Sequence, residues 1–333
     1  MPENSSKKPA RTAAARSASA AAKSAAPADG PADPPAGWTP TPEAKATATR
    51  FRWIAAVLWV VAIAAEAVGI FWLLRQRQVT GGDGGYVRNP DTGLLEQQGA
   101  TVTFPQWAFI TLIVLFVVIA ALSITGSFLW KKANHLDPAR RSDTVRFFVQ
   151  NQLGAIIAII AFVPLIIMVF LNKNMDKGQK TIAGIVGIAL AALAVVLGID
   201  FKPASVEQYT ADQSTVIQLL GKDQVTWVAG GAVYHVCDKV SDIQTGSQIQ
   251  TGTTAEAVAA GKERLTLKFA SELEKCGLPV PENAAAIADA LRQIQGGQTV
   301  SLPAPVWADG TQAPITVPDA PASGSEPAPT STP

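Results

Sequence analysis

Four apolar stretches, Trp53–Leu74, Trp107–Trp130, Leu153–Leu171 and Ile182–Ile199, run for 22, 24, 19 and 18 residues and carry one charge among them, Glu66. A helix rises about 1.5 Å per residue, and the hydrocarbon core of a bilayer is about 30 Å thick. Each stretch is therefore long enough to span, the last only just. Four nearly uncharged runs within residues 51–200 are hard to reconcile with a water-soluble core, so the sequence predicts four transmembrane helices. The first run begins at residue 53, behind a long polar tail. It exceeds the roughly 7–15-residue core of a signal peptide and reads as a retained span.

The regions around these spans differ in character. Residues 1–50 are an Ala/Ser/Pro/Lys tract with Pro34-Pro35 and Thr39-Pro40-Thr41-Pro42 as breakers, and 298–333 are Pro/Ala-rich. Neither segment offers enough apolar side chain to offset backbone entropy, so both are expected to be disordered tails. Residues 201–297 read as a small α+β module. Ser205–Leu220 reads as a helix and Gln224–Val228 as a strand. Gly230-Gly231 reads as a hairpin turn, with Ala232–Cys237 as the partner strand. Ile249–Thr251 is a third short strand, and Thr253 with Glu256 forms a capping box that opens a helix. Arg264–Cys276 is ambiguous between alternating strand and helical stripe. Glu282–Gln295 is a helix with Ile287, Leu291 and Ile294 on one face. The expected fold class is a membrane α-helical protein: four transmembrane helices, a small α+β module and disordered termini.

Charge assigns an orientation. Residues 1–52 carry eight Lys and Arg and the 131–148 loop five, against three each in 75–106 and in the loop after the third span. Thirteen against six predicts, by the positive-inside rule, a multi-pass protein of the cell membrane with both termini cytoplasmic. Trp53, Trp72, Trp107 and Trp130 stand near span ends, as interfacial anchors do. The near balance of 27 basic and 26 acidic residues excludes a strong electrostatic footprint for nucleic acid.

Residues with chemical potential are few. Glu66 is the one ionisable group within the spans and a candidate proton or cation site. Its ordinary role would be a carboxyl hydrogen-bonded to neighbouring helices, near Gln150–Gln152 or Ser123 and Thr125. Ala183, Gly184, Gly187 and Ala191 form a small-residue stripe that suits close helix packing. Pro164 frees a carbonyl in the third span and suggests a kink. The loop Asn134–Arg141 places His135, Asp137, Arg140 and Arg141 beside the bilayer, where a lipid phosphate could bind. In the module, His235, Cys237 and Cys276 are weak metal or redox candidates, with Asp238 or Asp242 as a conceivable further ligand. Structural zinc wants four ligands in paired spacings, so no metal and no cofactor is expected. A Cys237–Cys276 disulfide fits an oxidising compartment, whereas the expected cytoplasmic side favours free thiols. On alternating strand geometry, His235 and Cys237 share one face and Tyr234 and Val236 the other. No phosphate loop, nucleophile elbow, zinc-protease helix or dinucleotide fingerprint is present, so no catalytic residue is assigned.

Trp227, Gly230, Gly231, Tyr234, His235 and Cys237, followed by Gly252, Thr253, Glu256, Gly261, Lys262 and Arg264, resemble an uncharacterised family of actinobacterial multi-pass membrane proteins. The segment Ile199–Tyr209 is similar to that family's exit from its last span, and the likeness covers roughly residues 50–270. The resemblance implies no activity. More distantly, the Tyr234-His235 segment with Glu256–Gly261 is similar to small zinc modules of bacterial DNA-repair methyltransferases. Leu265 and Lys268 stand where that pattern has paired cysteines, which implies a scaffold without the metal. The function expected is a non-enzymatic membrane tether whose cytoplasmic module binds a protein partner through residues 205–297. The alternative is a small-solute or proton-coupled transporter using Glu66. The bilayer itself is the other expected partner.

Overall fold

A computed structural model describes residues 37–81, 85–97, 99, 101–240 and 248–308. The expected disorder of residues 1–36 and 309–333 lies outside the described residues, as does Asp242.

The first four helices, α1 (Pro42–Phe71), α2 (Gln106–Leu136), α3 (Thr144–Leu171) and α4 (Lys177–Gly198), are long and apolar enough to cross a membrane. Each begins or ends outside the expected span, for reasons present in the local sequence. α1 starts eleven residues early because Thr41 caps it, its Oγ1 accepting from Ala44 N at 3.1 Å. Pro42 sits in the first turn, where a missing N–H costs nothing. The Thr-Pro repeat expected to break structure therefore initiates a helix, and residues 42–50 are not a tail. Asp143 caps α3, and Asp176 with Gln179 forms a capping box for α4. α2 ends at Asp137, with Pro138 next.

These helices alternate in direction. At one end Asn172 Nδ2 donates to Leu74 O at 2.7 Å, and Phe104 N donates to Asn174 O at 2.7 Å. At the other end Arg52 pairs with Asp137 at 2.6 Å. α2 packs on all three of its partners. The interior is built from small residues and a few rings: Ala62, Ala108, Ala158, Ala161 and Ala183 around Leu112, Phe116, Phe162 and Leu165. Large side chains such as Val60, Val114, Ile167 and Ile185 face outward and are about half or more exposed. That apolar-outside pattern suits hydrocarbon and not water.

The α1–α2 connection, expected as loop, holds two nested antiparallel ladders. β1 (Gln78–Thr80) pairs with β4 (Thr101–Thr103), and β2 (Tyr86–Arg88) with β3 (Leu95–Gln97).

The module follows α4. It comprises α5 (Val206–Leu220), β5 (Val225–Val228), β6 (Val233–Tyr234), β7 (Ile249–Gly252), α6 (Thr254–Ala259), β8 (Arg264–Leu265), α7 (Phe269–Lys275) and α8 (Ala284–Gln295). Ser205 caps α5, and the Thr253/Glu256 capping box forms as expected. The hairpin does not form as expected. β5 takes β7 as its antiparallel partner, while β6 runs parallel to β8. Only a bridge between Thr226 and His235, with two hydrogen bonds of 2.8 Å, joins the segments flanking Gly230-Gly231. The ambiguous 264–276 stretch is both things in turn: strand at Leu265, then helix carrying Phe269 and Leu273 inward.

Large residues fill the module's core, among them Tyr209, Leu219, Val225, Tyr234, Leu265, Phe269, Leu273 and Leu291. Two pieces assigned to tails belong to this core. Trp38 is buried with its ring 4.7 Å from that of Tyr209, and its N donates to Thr210 Oγ1. Past α8, Val300, Leu302 and Trp307 pack against the core, and Glu282 N donates to Val306 O at 2.8 Å. Of the expected tails, then, residues 38–50 and 298–308 are folded.

Candidate functional site

Three places hold the candidate residues. The first is inside the bundle. Glu66 is buried, and its Oε1 accepts from Leu165 N at 3.3 Å, one residue beyond Pro164. It does not meet the polar residues expected around it. Gln150 instead donates to Asn134 Oδ1 at 2.9 Å, near the Arg52–Asp137 pair at the module end. Ser123 O accepts from the Trp59 indole. The small-residue stripe of α4 packs as its composition predicts. An added Cβ at Gly184 would lie 2.4 Å from the Phe170 ring, and one at Gly187 2.9 Å from Phe116.

The second place is the trio in the module. Cys237 and Cys276 are joined by a disulfide, which corrects the expectation of free thiols. Both sulfurs are occupied by that bond. His235 is buried, and its Nδ1 lies 2.8 Å from Glu272 Oε1. With the carboxylate as acceptor, that nitrogen carries the hydrogen. Glu272 Oε2 accepts from Val236 N at 3.1 Å. Among the described residues no three His, Cys, Asp or Glu side chains are grouped to hold a metal ion. Tyr234, His235 and Val236 are all buried. His235 and Cys237 both meet α7, at Glu272 and at Cys276 just past its end, while Tyr234 reaches Asp212 on α5. Disulfide and Glu272 together clamp α7 to that segment.

Two buried ionic groups escaped sequence reasoning. Asp212 on α5 is fully buried and accepts from Tyr234 Oη at 2.9 Å, Leu265 N at 2.9 Å and Gln295 Nε2 at 3.0 Å. One carboxylate thus joins α5, β6, β8 and α8. Desolvation pushes its pKa up to about 6, against the downward pull of those three donors and of Arg264. Burial likewise raises the Tyr234 hydroxyl, and the Asp212 charge adds to it. Lys262 is buried with its Nζ on Ala229 O, Gly230 O and Gly231 O at 3.1, 3.4 and 2.9 Å. An ammonium therefore closes the turn that the glycines alone were expected to close, and desolvation lowers its pKa. Position along the chain signals neither residue, since each partner is remote in sequence.

The third place is the junction between bundle and module. The α2–α3 loop and α5 are directly bonded. Arg141 N donates to Glu207 Oε2 at 2.9 Å, Val206 N to Ala139 O at 3.3 Å, and Tyr209 Oη to His135 O at 3.2 Å. His135 Nε2 stands 3.7 Å from Asp200 Oδ2. Beside these contacts opens a cleft of about 730 Å³, lined by Arg141, Lys202, Arg264 and Arg292, with Phe147 and Phe201 among its apolar residues. Arg141 lies over the Phe147 ring at 5.9 Å. Burial lowers its pKa from the ordinary value, and the Glu207 carboxylate pulls it back up.

No known protein family, curated protein or solved structure matches this chain.

Proposed function

We propose that this protein is a non-enzymatic integral membrane protein that holds a small folded module in a fixed pose at one membrane face, where the module binds a protein partner. The observation that carries this reading is the bonded junction. Three hydrogen bonds tie the module's first helix to the end of α2 and the α2–α3 loop, and Trp38, ahead of α1, enters the module core. A module on a slack linker needs no such contacts. One seated on the bundle presents the same surface at the same height above the bilayer. Membership of the actinobacterial family named above is part of this proposal and rests on the residues quoted for it.

We place the module on the cytoplasmic side. Arg50, Arg52, Lys131, Lys132, Arg140, Arg141 and Arg146 cluster at its end of the bundle, and the positive-inside rule supports that orientation. The Cys237–Cys276 disulfide pulls the other way, because cytosolic thiols are kept reduced. A cysteine introduced at Ser323 is expected to resist a membrane-impermeant thiol reagent until cells are lysed, while one at Thr92 labels at once. Labelling at Ser323 in intact cells would reverse the orientation.

The partner reading is tested by affinity capture in mild detergent. The full chain is expected to retain a stoichiometric protein that is lost when residues 205–308 are removed and kept in Glu66→Gln. If no partner depends on those residues, the platform reading fails. The transport alternative draws on Glu66 being buried between α1 and α3. Flux in proteoliposomes that Glu66→Gln abolishes would favour it.

A further inference from the structure

The junction cleft has a volume of about 730 Å³, and four cations line it. Arg141 comes from the α2–α3 loop, Lys202 from the exit of α4, Arg264 from β8 and Arg292 from α8. Glu263 is the one carboxylate in the lining. Arg292 is paired with Asp289, but no ion pair engages the side chains of Arg141, Lys202 or Arg264 among the described residues. Four elements remote in sequence thus bring cations to one concavity, three of them outside any ion pair, with Glu207 near Arg141 and Asp212 near Arg264 as the neighbouring carboxylates. Its volume, about 730 Å³, lies within the range of roughly 300–1,000 Å³ usual for small-ligand sites.

A second observation is independent of charge. Two residues of the same lining, Gln295 and His135, each hold a buried polar atom without a hydrogen-bond partner: Gln295 Oε1 and His135 Nδ1. Buried polar atoms are nearly always paired, so an unpaired one calls for a reason. Gln295 cannot satisfy itself by flipping its amide. Its Nε2 is committed to Asp212 Oδ1 and Leu265 O, both acceptors. Its Oε1 is therefore fixed as an acceptor that awaits a donor. The phosphate of an ester, as the dianion, carries no hydrogen to offer it, whereas a hydroxyl elsewhere on the same molecule does.

We infer that this cleft binds a phosphate ester of a polyol, its phosphate on Arg141, Lys202 and Arg264 and a hydroxyl on Gln295 Oε1. Arginine suits the phosphate because its planar guanidinium donates two parallel hydrogen bonds. Two sources share this chemistry: the headgroup of a polyol phospholipid and the free polyol phosphate. The lipid source rests on the bundle crossing the bilayer, as proposed above. It is helped by position, since Phe147 opens α3 and Phe201, 72% exposed, lies just past α4. The site does not depend on whether the module also binds a protein.

The full chain is reconstituted in nanodiscs of phosphatidylcholine alone or with one-tenth phosphatidylglycerol. Lipids retained on the protein are read by native mass spectrometry, and glycerol 3-phosphate and inorganic phosphate are titrated into the phosphatidylcholine discs. Saturable retention of phosphatidylglycerol, reduced at least tenfold in Arg264→Gln, assigns the lipid source. Saturable binding of glycerol 3-phosphate with the same dependence assigns the free ester. Lys202→Gln, at an exposed position, is expected to weaken binding severalfold and guards against misfolding of the Arg264 variant. No saturable binding of either probe overturns the site. So does binding that neither variant changes. Inorganic phosphate binding as tightly as glycerol 3-phosphate overturns the assignment of a polyol ester.

Discussion

Bundle and module bury themselves by opposite rules. In the bundle small side chains line most of the interior around a few rings and leucines, and many large aliphatic ones lie outside: Gly154, Ala158, Ala161 and Gly198 face neighbours while Ile159, Ile160 and Val163 face out. Lipid is as apolar as leucine, so hydrophobic burial cannot drive helices together there, and close backbone approach must. In the module the large residues are inside, and water supplies the driving force at about 25 cal/mol per Å² of apolar surface. The module also buries ionic groups, Asp212, Lys262 and the His235–Glu272 pair, and satisfies them with partners from several elements. The lesson is that one chain needs two kinds of glue, and that each fails to different insults.

The largest expected effect sharpens that difference through the disulfide. Closing a loop with a sequence separation of 39 stabilises the module by about 4 kcal/mol on the chain-entropy account. Reduction, or Cys276→Ser, is expected to lower hydrogen-exchange protection over β5 and α7 by about three orders of magnitude. Peptides from α2 and α3 should not change. Equal loss in both regions would mean that the two fold as one cooperative unit.

Next comes acid. The carboxyl of Asp212 has a folded pKa of about 6 against an ordinary 3.8, so the folded state takes up its proton first. This group therefore weakens the module fully above pH 6, and the penalty is relieved as pH falls from about 6 towards 3.8. The relief is on the order of 3 kcal/mol. Module stability, measured as exchange protection against pH, should carry this component in the wild type and lose it in Asp212→Asn. An identical pH profile in the variant would assign the slope to other groups.

The bundle is expected to respond to a methyl group. In Gly198→Ala the new Cβ would lie 2.6 Å from Ala155 N and 2.7 Å from Gly154 C, both backbone on the facing helix. Backbone cannot rotate away, so α3 and α4 must separate, at a cost of about 2 kcal/mol. A lower melting temperature in detergent, with module exchange unchanged, is the expected outcome. Gly230→Ala on the module surface meets nothing within 4 Å and serves as the silent control.

The smallest effect falls on the seam itself. Glu207→Gln keeps the shape but removes the charge that accepts from Arg141 N and Ser142 N. About 1 kcal/mol should be lost, seen as faster exchange confined to residues 138–144 and the first turn of α5. Acceleration across the whole module would instead make this contact part of its core.

The bundle was legible because its rule is one-dimensional. Uncharged length alone marks a helix able to cross a membrane, and the α4 stripe marks a packing face without knowledge of the neighbour. The cap at Thr253 was legible for the same reason, since it acts on a backbone N–H three residues away. Helix α1 began early because Pro42 means opposite things inside a helix and at its first turn, a distinction that depends on the Thr41 cap. What tertiary structure decided is whatever joins distant residues. Sequence spacing carried no sign that β5 would choose β7 over its neighbour, that Lys262 would close the 229–231 turn, that Asp212 would gather four elements, or that Trp38 would complete the module's core. Neither did it show that Arg141, Lys202, Arg264 and Arg292 would face one cleft. Local hydrogen bonds and hydropathy act between residues a few positions apart, so a sequence displays them directly. Long-range pairing is settled by which arrangement satisfies every buried polar group at once, and that condition exists only in the folded chain.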